Sequence, residues 1–364
     1  MFSLAAAEVP RLIVDTDMIG DYDDIGAMSV ANALADAGEC QLIATMSSTK
    51  NSPALGMAQI VNDYYGRVDM PMGAVKGRGF TDGEQDLGGV NKIFRSMVEA
   101  RKAQLKYPNS DMAPDAVEVY RKVLAEQPDK SVVIVTIGMM TNVRRLFESD
   151  RELVAKKVKA WYTMACGYPS GHEFNTFADA ESSAAAFRES PVPVYVADFN
   201  LGQDVRTGLP IGRAGDPSNP VCEGFERCLK VWNEEHLGRS SWDEITVLAA
   251  VRPNSFTTKR GVYTIDPKTG NNVWKDDECG NHYALFQKGT KAELGRTIDE
   301  LMTRPVGGLK NLGVWMKAKG EGFAKIYRCD YDEAKPFPVD ITADLWYVLK
   351  LDGRFSPERV RIRR

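Results

Sequence analysis

The chain has 364 residues, 43% of them hydrophobic, and a formal net charge of −4. This length and apolar content are enough to bury a large core, in one large domain or two smaller ones. There is no basic stripe with interleaved aromatic residues, so a nucleic-acid partner is not expected. No apolar run reaches the ~18 residues that a membrane span needs. The six cysteines form neither a CxxC pair nor a zinc-type spacing and are predicted to be buried thiols.

The start of the chain, MFSLAAA over residues 1–7, leaves the compartment open. Small residues before a charged residue are typical of the end of a secretory signal peptide. The basic region and the full apolar segment of such a signal are missing. The start is consistent with a cytoplasmic protein or with a clipped leader.

Apolar runs rich in β-forming residues alternate with amphipathic helical stretches. The predicted strands are RLIVDT at 11–16, QLIATMS at 41–47, PMGAV at 71–75, SVVIVTI at 131–137, KAWYTMA at 159–165 and VPVYVA at 192–197. Near-continuous apolar strands that are each followed by a helix are typical of a parallel sheet covered on both faces. The predicted fold class is α/β, with a doubly wound, mostly parallel, Rossmann-like sheet. Ligands of such folds bind beyond the carboxyl ends of the strands.

Two later segments also predict secondary structure. DEITVLAAV predicts a helix that opens at Asp243, and GVYTIDPKTGNNVW predicts a hairpin that turns at KTGNN. From about residue 305 the chain is richer in Gly, Lys and Pro and carries no recognised motif. The predicted organisation is a main domain over residues 9–304 and a C-terminal extension over 305–364, whose role is open.

Five aspartates crowd into VDTDMIGDYDD, directly after the first predicted strand. Like charges this close repel one another unless a cation joins them or water solvates them. Ca²⁺ takes six to eight oxygen ligands, and Asp17, Asp23 and Asp24 on one tight turn could surround it. The alternative is that Asp23 and Asp24 only cap the following helix. Five acids after a buried strand favour the metal site.

Three further polar segments follow predicted strands: STKN, GMMTN and GYPSGHEFN. Because the carboxyl ends of parallel strands share one edge of the sheet, these loops are expected to converge with the aspartate-rich segment.

VDTDMIGDYDDIGA resembles the N-terminal signature of the nucleoside hydrolases, the inosine-uridine preferring N-ribohydrolase group. That group carries DxDxxxDD or the longer form DTD(M/I)GxDxDDA. Asp15, Asp17, Asp23 and Asp24 fit the longer form, and Asp21 is the extra acid inside it. Four segments follow in family order: TMSSTKN, TIGMMTN, EFNTFADAESSAAAF and SSWDEITVLAAVRP. The resemblance spans about residues 11–255, with weaker similarity to about 304, and five motifs in order are far more specific than one. It implies the nucleoside hydrolase fold, with 9–304 as the catalytic domain.

The resemblance implies calcium-dependent hydrolysis of the N-glycosidic bond of a ribonucleoside, giving free base and ribose. Ca²⁺ would be held by the carboxylates of Asp17, Asp24 and Asp243 and by the carbonyl of Ile137, with ribose hydroxyls and one water completing its shell. Asp17 would also take a proton from that water as general base. Asp23 would accept a hydrogen bond from the 2′-hydroxyl.

The resemblance also implies how the substrate is held. Positive charge builds on the sugar in the transition state, and a ring of carboxylates stabilises it but repels phosphate. The expected partner is therefore a small-molecule nucleoside or other N-riboside, and a homo-oligomer, dimer or tetramer, is expected as in other members. Asp179 would cap a helix. Besides Asp23, the residues expected to contact the substrate are Asn51, Met164, Glu173, Asn175, Trp242 and Asp243.

One departure from the family concerns the departing base. Purine-type members have a His before the last metal-binding Asp, where this chain has Trp242. A Trp cannot donate a useful proton, but it can stack on a base. His236 is assigned as the leaving-group acid, with His172 and no acid at all as the alternatives. The base stays open. Aromatic candidates for the base side of the site are Tyr22, Trp161, Tyr168 and Trp242, although Trp161 lies on a predicted strand and is expected to be core instead.

Two other functions are compatible with parts of this sequence. A haloacid-dehalogenase-like phosphotransferase also places DxD after its first strand. However, that family has Thr or Val at the position of Ile19, and its second acidic pair lies much later in the chain. A catalytically inactive or altered-specificity ribosyl- or nucleoside-binding protein would explain Trp242. Against it, every expected metal ligand and the base Asp17 are present.

Overall fold

The structure is a computed structural model that describes residues 9–81, 89–304, 306, 313–317, 323–328 and 346–347. The chain forms two compact units, residues 1–303 and 304–364. The segment MFSLAAA and most of the predicted C-terminal extension lie outside the described residues. None of the helices in the described ranges is long and apolar enough to cross a membrane.

The strands of the first unit form a large central sheet and a small two-stranded one. They are β1 (Arg11–Thr16), β2 (Gln41–Ser47), β3 (Met72–Ala74), β4 (Val132–Ile137), β5 (Val158–Met164), β6 (Ser170–Gly171), β7 (Val194–Ala197), β8 (Arg206–Thr207), β9 (Arg239–Ser240), β10 (Phe256–Ile265), β11 (Asn272–Asp276) and β12 (His282–Gln287). In the second unit, β13 (Gly313–Lys317), β14 (Phe323–Arg328) and β15 (Trp346–Tyr347) form an antiparallel sheet of three strands.

The helices cover the strands of the large sheet. They are α1 (Asp23–Asp36), α2 (Ala54–Tyr64), α3 (Val90–Arg101), α4 (Ala116–Ala125), α5 (Thr141–Lys157), α6 (Phe174–Ala178), α7 (Ala180–Glu189), α8 (Phe199–Gly202), α9 (Leu209–Gly212), α10 (Pro220–Trp232), α11 (Trp242–Val251) and α12 (Lys291–Met302). Short 3₁₀ turns cover Lys102–Gln104, Ser110–Met112 and Pro253–Ser255.

The central sheet has the order β3-β2-β1-β4-β5-β7-β12-β10-β11-β6. Strands β3 to β12 in that order pair in parallel, and β10, β11 and β6 add an antiparallel edge. The doubly wound, mostly parallel α/β sheet predicted from the sequence is confirmed. The predicted hairpin is β10–β11, and the predicted helix at Asp243 begins one residue earlier, at Trp242.

The parallel strands are apolar because both faces are covered. All six residues of β4 are buried, and Trp161 of β5 is fully buried among core side chains. The indole N–H of Trp161 donates to Thr136 Oγ1 at 2.8 Å, which satisfies the one polar atom of that side chain. Trp161 is therefore core and not part of a base site. Cys40, Cys166, Cys222 and Cys228 are buried free thiols as predicted, Cys279 is exposed, and Cys329 lies outside the described residues.

Candidate functional site

The site lies where the order of strands along the sheet reverses direction. From β1 the chain continues to β2 and β3 on one side, and it returns to β4 and β5 on the other. Such a reversal leaves a crevice at the carboxyl ends of the two central strands. Asp17 follows β1 directly and Ile137 ends β4, and both line a cavity of about 410 Å³ that we call the acidic cavity.

The acidic cavity brings together two of the four loops that were predicted to converge, the aspartate-rich loop and the loop after β5, with the carboxyl ends of β4 and β5. Its lining residues are Asp17, Ile19, Gly20, Asp21, Asp23, Asp24, Ile137, Met164, His172, Glu173, Phe174, Asn175, Phe177, Phe199, Arg239, Trp242 and Asp243.

Gly138 allows the loop after β4 to approach Asp17. A Cβ at position 138 would lie 2.7 Å from the Asp17 amide nitrogen and 2.5 Å from Ser48 Oγ. Contacts that short do not occur for real side chains, so this position needs glycine. The glycine in TIGMMTN therefore allows the loop after β4 to pack closely against the loop after β1.

Asp23, Asp24 and Asp243 form the aspartate cluster of the cavity. One carboxylate oxygen of each lies within 4.8 Å of the others, and all three side chains are buried. Asp24 is fixed by the Thr16 hydroxyl, which donates to Oδ1, and by the Met18 amide at 3.2 Å. The start of α1 and the start of α11 meet here, so residues far apart in sequence share one small volume.

Burial and mutual repulsion raise the pKa values of these carboxyl groups. For Asp17, burial and the neighbouring charges of Asp24 and Asp23 hold the pKa well above its usual range. For Asp243, burial and the charges of Asp23 and Asp24 do the same. Burial raises the pKa of Asp24 to about 7, although the hydrogen bonds from Thr16 and Met18 oppose the shift. Carboxylates in this arrangement ionise together only with a positive charge beside them.

The residues present fit a divalent cation. The cavity offers only oxygen ligands at this end: the three carboxylates of the aspartate cluster, Asp17 beside them and the end of β4 at Ile137. Hard cations such as Ca²⁺ and Mg²⁺ prefer such ligands. Asp17 lines the same cavity but lies outside the group of three. Asp23, expected to be a catalytic and substrate-binding residue rather than a metal ligand, lies inside it.

Asp23 also has a structural role that the sequence did not indicate. Its Oδ2 accepts hydrogen bonds at 3.2 Å from the amides of Trp242 and Asp243, the first two residues of α11. These amides have no partner within their own helix. Asp23 therefore caps α11 from α1 and fixes the position of Asp243.

Glu173, Asn175 and Met164, which are predicted to contact the substrate, lie together on one wall of the cavity. Glu173 caps α6: Oε1 accepts from the Asn175 amide at 2.7 Å, and Oε2 accepts from the Thr176 amide at 3.0 Å and hydroxyl at 2.8 Å. Burial raises the pKa of Glu173 to about 7 against these hydrogen bonds. The Asn175 amide group donates to the Met164 carbonyl at 3.4 Å. Asp179 caps α7 as predicted, accepting from the Ser182 amide.

Aromatic side chains also line the cavity. Trp242 and Phe199 stack with ring centroids 5.3 Å apart, and His172 stacks on Phe177 at 4.3 Å with an angle of 4° between the rings. Phe174 is a further aromatic lining residue. An aromatic wall beside carboxylates suits a ligand with a planar apolar part and a hydroxylated part.

Arg239 is a lining residue that the sequence analysis missed. Its Nε donates to Asp21 Oδ1 at 2.8 Å and its Nη1 to Glu234 Oε1 at 3.2 Å. The guanidinium lies 4.4 Å from the ring centroid of Trp232 and 5.0 Å from that of Trp242. Arg239 thus supplies a cation that Asp21, the extra acid in the signature, shares with Glu234. No local pattern pairs residues 218 positions apart.

Some residues singled out from the sequence do not line the cavity. Asn51 is buried elsewhere, where its side-chain oxygen accepts from the Thr81 hydroxyl at 3.2 Å. His236 is exposed in the connection between α10 and β9. Tyr22 is buried with its hydroxyl donating to Glu234 at 2.5 Å, and Tyr168 packs against Trp274. Of the four aromatic candidates only Trp242 lines the cavity.

The fold and the site define the class: a doubly wound α/β enzyme with a carboxylate-lined cavity at the switch point of its sheet. The sequence profile of the inosine-uridine preferring nucleoside hydrolases matches residues 12–304, and the chain belongs to this family. The family consists of hydrolases that act on N-glycosyl compounds. Membership of this family excludes the phosphotransferase alternative.

Solved structures share the fold at low sequence identity. A plant nucleoside hydrolase is 21% identical with a TM-score of 0.62, covering 81% of this chain and 99% of its own. The inosine-uridine preferring nucleoside hydrolase from Bacillus anthracis is 13% identical with a TM-score of 0.63, with the same coverage of 81% and 99%. The type III effector protein XopQ, solved with adenosine diphosphate ribose, is 16% identical with a TM-score of 0.61, covering 82% and 94%. No curated protein matches the chain significantly in sequence.

Proposed function

We propose that this protein hydrolyses the N-glycosidic bond of a free ribonucleoside in a calcium-dependent reaction, giving base and ribose. The observation that supports this most directly is the aspartate cluster, buried at the site where the family match and the switch point of the sheet coincide. The expected dimer or tetramer stays a prediction.

The cation would be held by Asp24, Asp243, Asp17 and the carbonyl of Ile137, and the position of Asp23 in the aspartate cluster makes it a further candidate ligand. When bound, a divalent cation lowers the pKa values of these carboxyl groups and polarises the attacking water.

The side chains of the cavity have three further roles: proton transfer, charge stabilisation and substrate orientation. Asp17 takes the proton of the attacking water, and the surrounding carboxylates stabilise the positive charge that develops on the ribose. Glu173, Asn175 and Met164 orient the sugar on their wall of the cavity, and the Trp242 ring faces the base. The negative potential of this cavity disfavours a phosphate group on the ribose, which favours nucleosides over nucleotides.

Release of free ribose tests this proposal. Purine nucleosides, pyrimidine nucleosides and N-ribosylnicotinamide are incubated with the protein, with added Ca²⁺ or with a chelator. Chelator-sensitive ribose release from at least one of them, lost in Asp17→Ala and kept in Asp69→Asn, is expected. Asp69 is an exposed matched control. Binding of ribosides without turnover on any of them would overturn the proposal in favour of a binding protein.

A further inference from the structure

The sequence contains three histidines, and the structure gives each a different environment. His282 is buried with both ring nitrogens occupied: Nδ1 accepts from the Tyr263 amide at 2.9 Å, and Nε2 donates to the Phe187 carbonyl at 3.1 Å. Burial lowers the pKa of His282, so its ring is neutral and structural. His236 is exposed and is not a lining residue of the acidic cavity. His172 is also exposed, but of the three histidines it alone lines the cavity.

The hydrogen bond of His172 fixes which ring nitrogen can act on a substrate. Its Nε2 lies 3.0 Å from the backbone carbonyl of Thr269. A carbonyl oxygen only accepts, so Nε2 carries a hydrogen in both the neutral and the protonated ring. Nδ1 is therefore the atom that gains and loses a proton. Within the described ranges, no residue makes a hydrogen bond with Nδ1.

The His172 ring is held in place from two sides. Phe177 stacks on one face, and a π-face attracts an imidazolium cation. The turn that supplies the Thr269 carbonyl is itself fixed, because Asp266 Oδ1 accepts from the amides of Lys268 at 2.8 Å and Thr269 at 3.1 Å. Gly270 lets this turn approach Phe177, since a Cβ there would lie 2.4 Å from the Phe177 Cα. The β10–β11 hairpin thus positions a histidine at the cavity.

We propose that His172 is the general acid that protonates the departing base, a role that rests on the nucleoside hydrolysis proposed above. The C1′–N bond breaks and its electron pair stays on the base nitrogen, which takes the proton from His172 Nδ1. Water adds its oxygen to C1′ and gives its proton to Asp17. Proton transfer from Asp17 to His172 through solvent restores both groups, so the sum is nucleoside plus water to base plus ribose.

The test compares two leaving groups in His172→Gln and wild type. A nucleoside needs a proton on its base, whereas 4-nitrophenyl riboside releases a stable phenolate that needs none. We expect kcat on the best nucleoside to fall by about 10²–10⁴-fold in His172→Gln, the range of general acid catalysis. On 4-nitrophenyl riboside it is expected to change by less than about threefold. Lys268→Gln, an exposed position in the same turn, is the matched control and keeps both activities.

The outcomes distinguish the assignment of His172 as general acid from the proposed nucleoside hydrolysis on which it rests. Equal losses on both substrates would show a merely structural role for His172 and overturn the assignment. So would an unchanged nucleoside rate, or the selective loss appearing in His236→Gln instead. If wild type released ribose from neither substrate, the proposed function itself would fail and the assignment with it.

Discussion

The indole Nε1 of Trp242 donates a hydrogen bond to the backbone carbonyl of Phe199 at 2.8 Å, and the two rings stack. Gly202 packs against the same indole, since a Cβ there would lie 2.5 Å from its Cδ1 atom. The N–H of Trp242 is therefore already used within the protein. Where purine-type relatives are expected to have a proton-donating histidine, this chain has a fixed aromatic wall.

Trp242→Ala is expected to raise KM for the nucleoside about tenfold, because base–aromatic stacking contributes about 1–3 kcal/mol. The loss should appear mainly in KM, since the ring contacts the base before and during the reaction alike. Trp242→Phe keeps a π-face and should stay within about threefold of wild type. Steady-state kinetics check this, and a drop in kcat at constant KM in Trp242→Ala would contradict it.

Asp243→Asn is expected to weaken Ca²⁺ binding by more than about 100-fold, beyond the range seen when only outer contacts of a metal site change. The substitution removes one charge from the aspartate cluster but keeps the shape of the side chain. Isothermal titration of the chelator-treated protein with Ca²⁺ measures the effect, with Asp69→Asn as the control. Unchanged affinity in Asp243→Asn would move the cation away from this cluster.

The cation-free protein is expected to lose stability as pH rises from about 4 to 7. Asp15, Asp24 and Glu173 have pKa values of about 7 in the folded chain, because burial disfavours their charged forms, against ordinary values of 3.8 and 4.5. In this window the folded state holds protons that the unfolded state has released. The free energy of unfolding then falls with pH, by about 1.4 kcal/mol per pH unit for each such group.

At the aspartate cluster, Ca²⁺ should reverse this loss of stability with rising pH. The ion binds deprotonated carboxylates, and it binds only the folded state. Thermal unfolding midpoints between pH 5 and 8, with chelator and with Ca²⁺, check both statements. The increase in Tm on adding Ca²⁺ should grow with pH. An increase that shrinks with pH would be inconsistent with carboxylate ligands.

Gly138→Ala is expected to cost about 1–3 kcal/mol of stability, the usual cost of overpacking, and to lower kcat by displacing Asp17. Chemical denaturation and steady-state kinetics measure the two effects. The double variant Ser48→Ala/Gly138→Ala removes the clash with Ser48 Oγ but not the one with the Asp17 backbone. Recovery of full activity in the double variant would show that Asp17 is not the group displaced.

Arg239→Met is expected to destabilise the protein by about 2–3 kcal/mol, somewhat less than a fully buried pair, because it leaves the carboxylates of Asp21 and Glu234 without their shared cation. Arg239→Met/Asp21→Asn should recover part of the loss, since one uncompensated charge is removed. A double-mutant cycle of unfolding free energies measures the coupling. Additive losses would mean that Arg239 and Asp21 are not energetically coupled, and would contradict this prediction.

Most of the fold was predictable from the sequence because the signals for it are local. Strands such as β1 and β4 are short apolar runs, and their helices follow at once with their own periodicity. Once the sheet is parallel, the carboxyl ends of β1, β4 and β5 must share one edge, which places Asp17, Ile137 and Met164 together. The loop after β2 follows the same rule, yet Asn51 hydrogen-bonds with Thr81 and stays outside the cavity.

By itself the sequence determined the family, through the order of several short motifs. It also determined the doubly wound sheet and the aspartates of the first loop, since these depend on residues close together in the chain. Only the tertiary structure decided which distant side chains meet. Asp23 caps α11 across 220 residues, Arg239 pairs with Asp21 across 218, and His172 rather than His236 reaches the cavity wall. These contacts depend on the paths of loops and on how helices pack over the sheet, and no local pattern of residues encodes either.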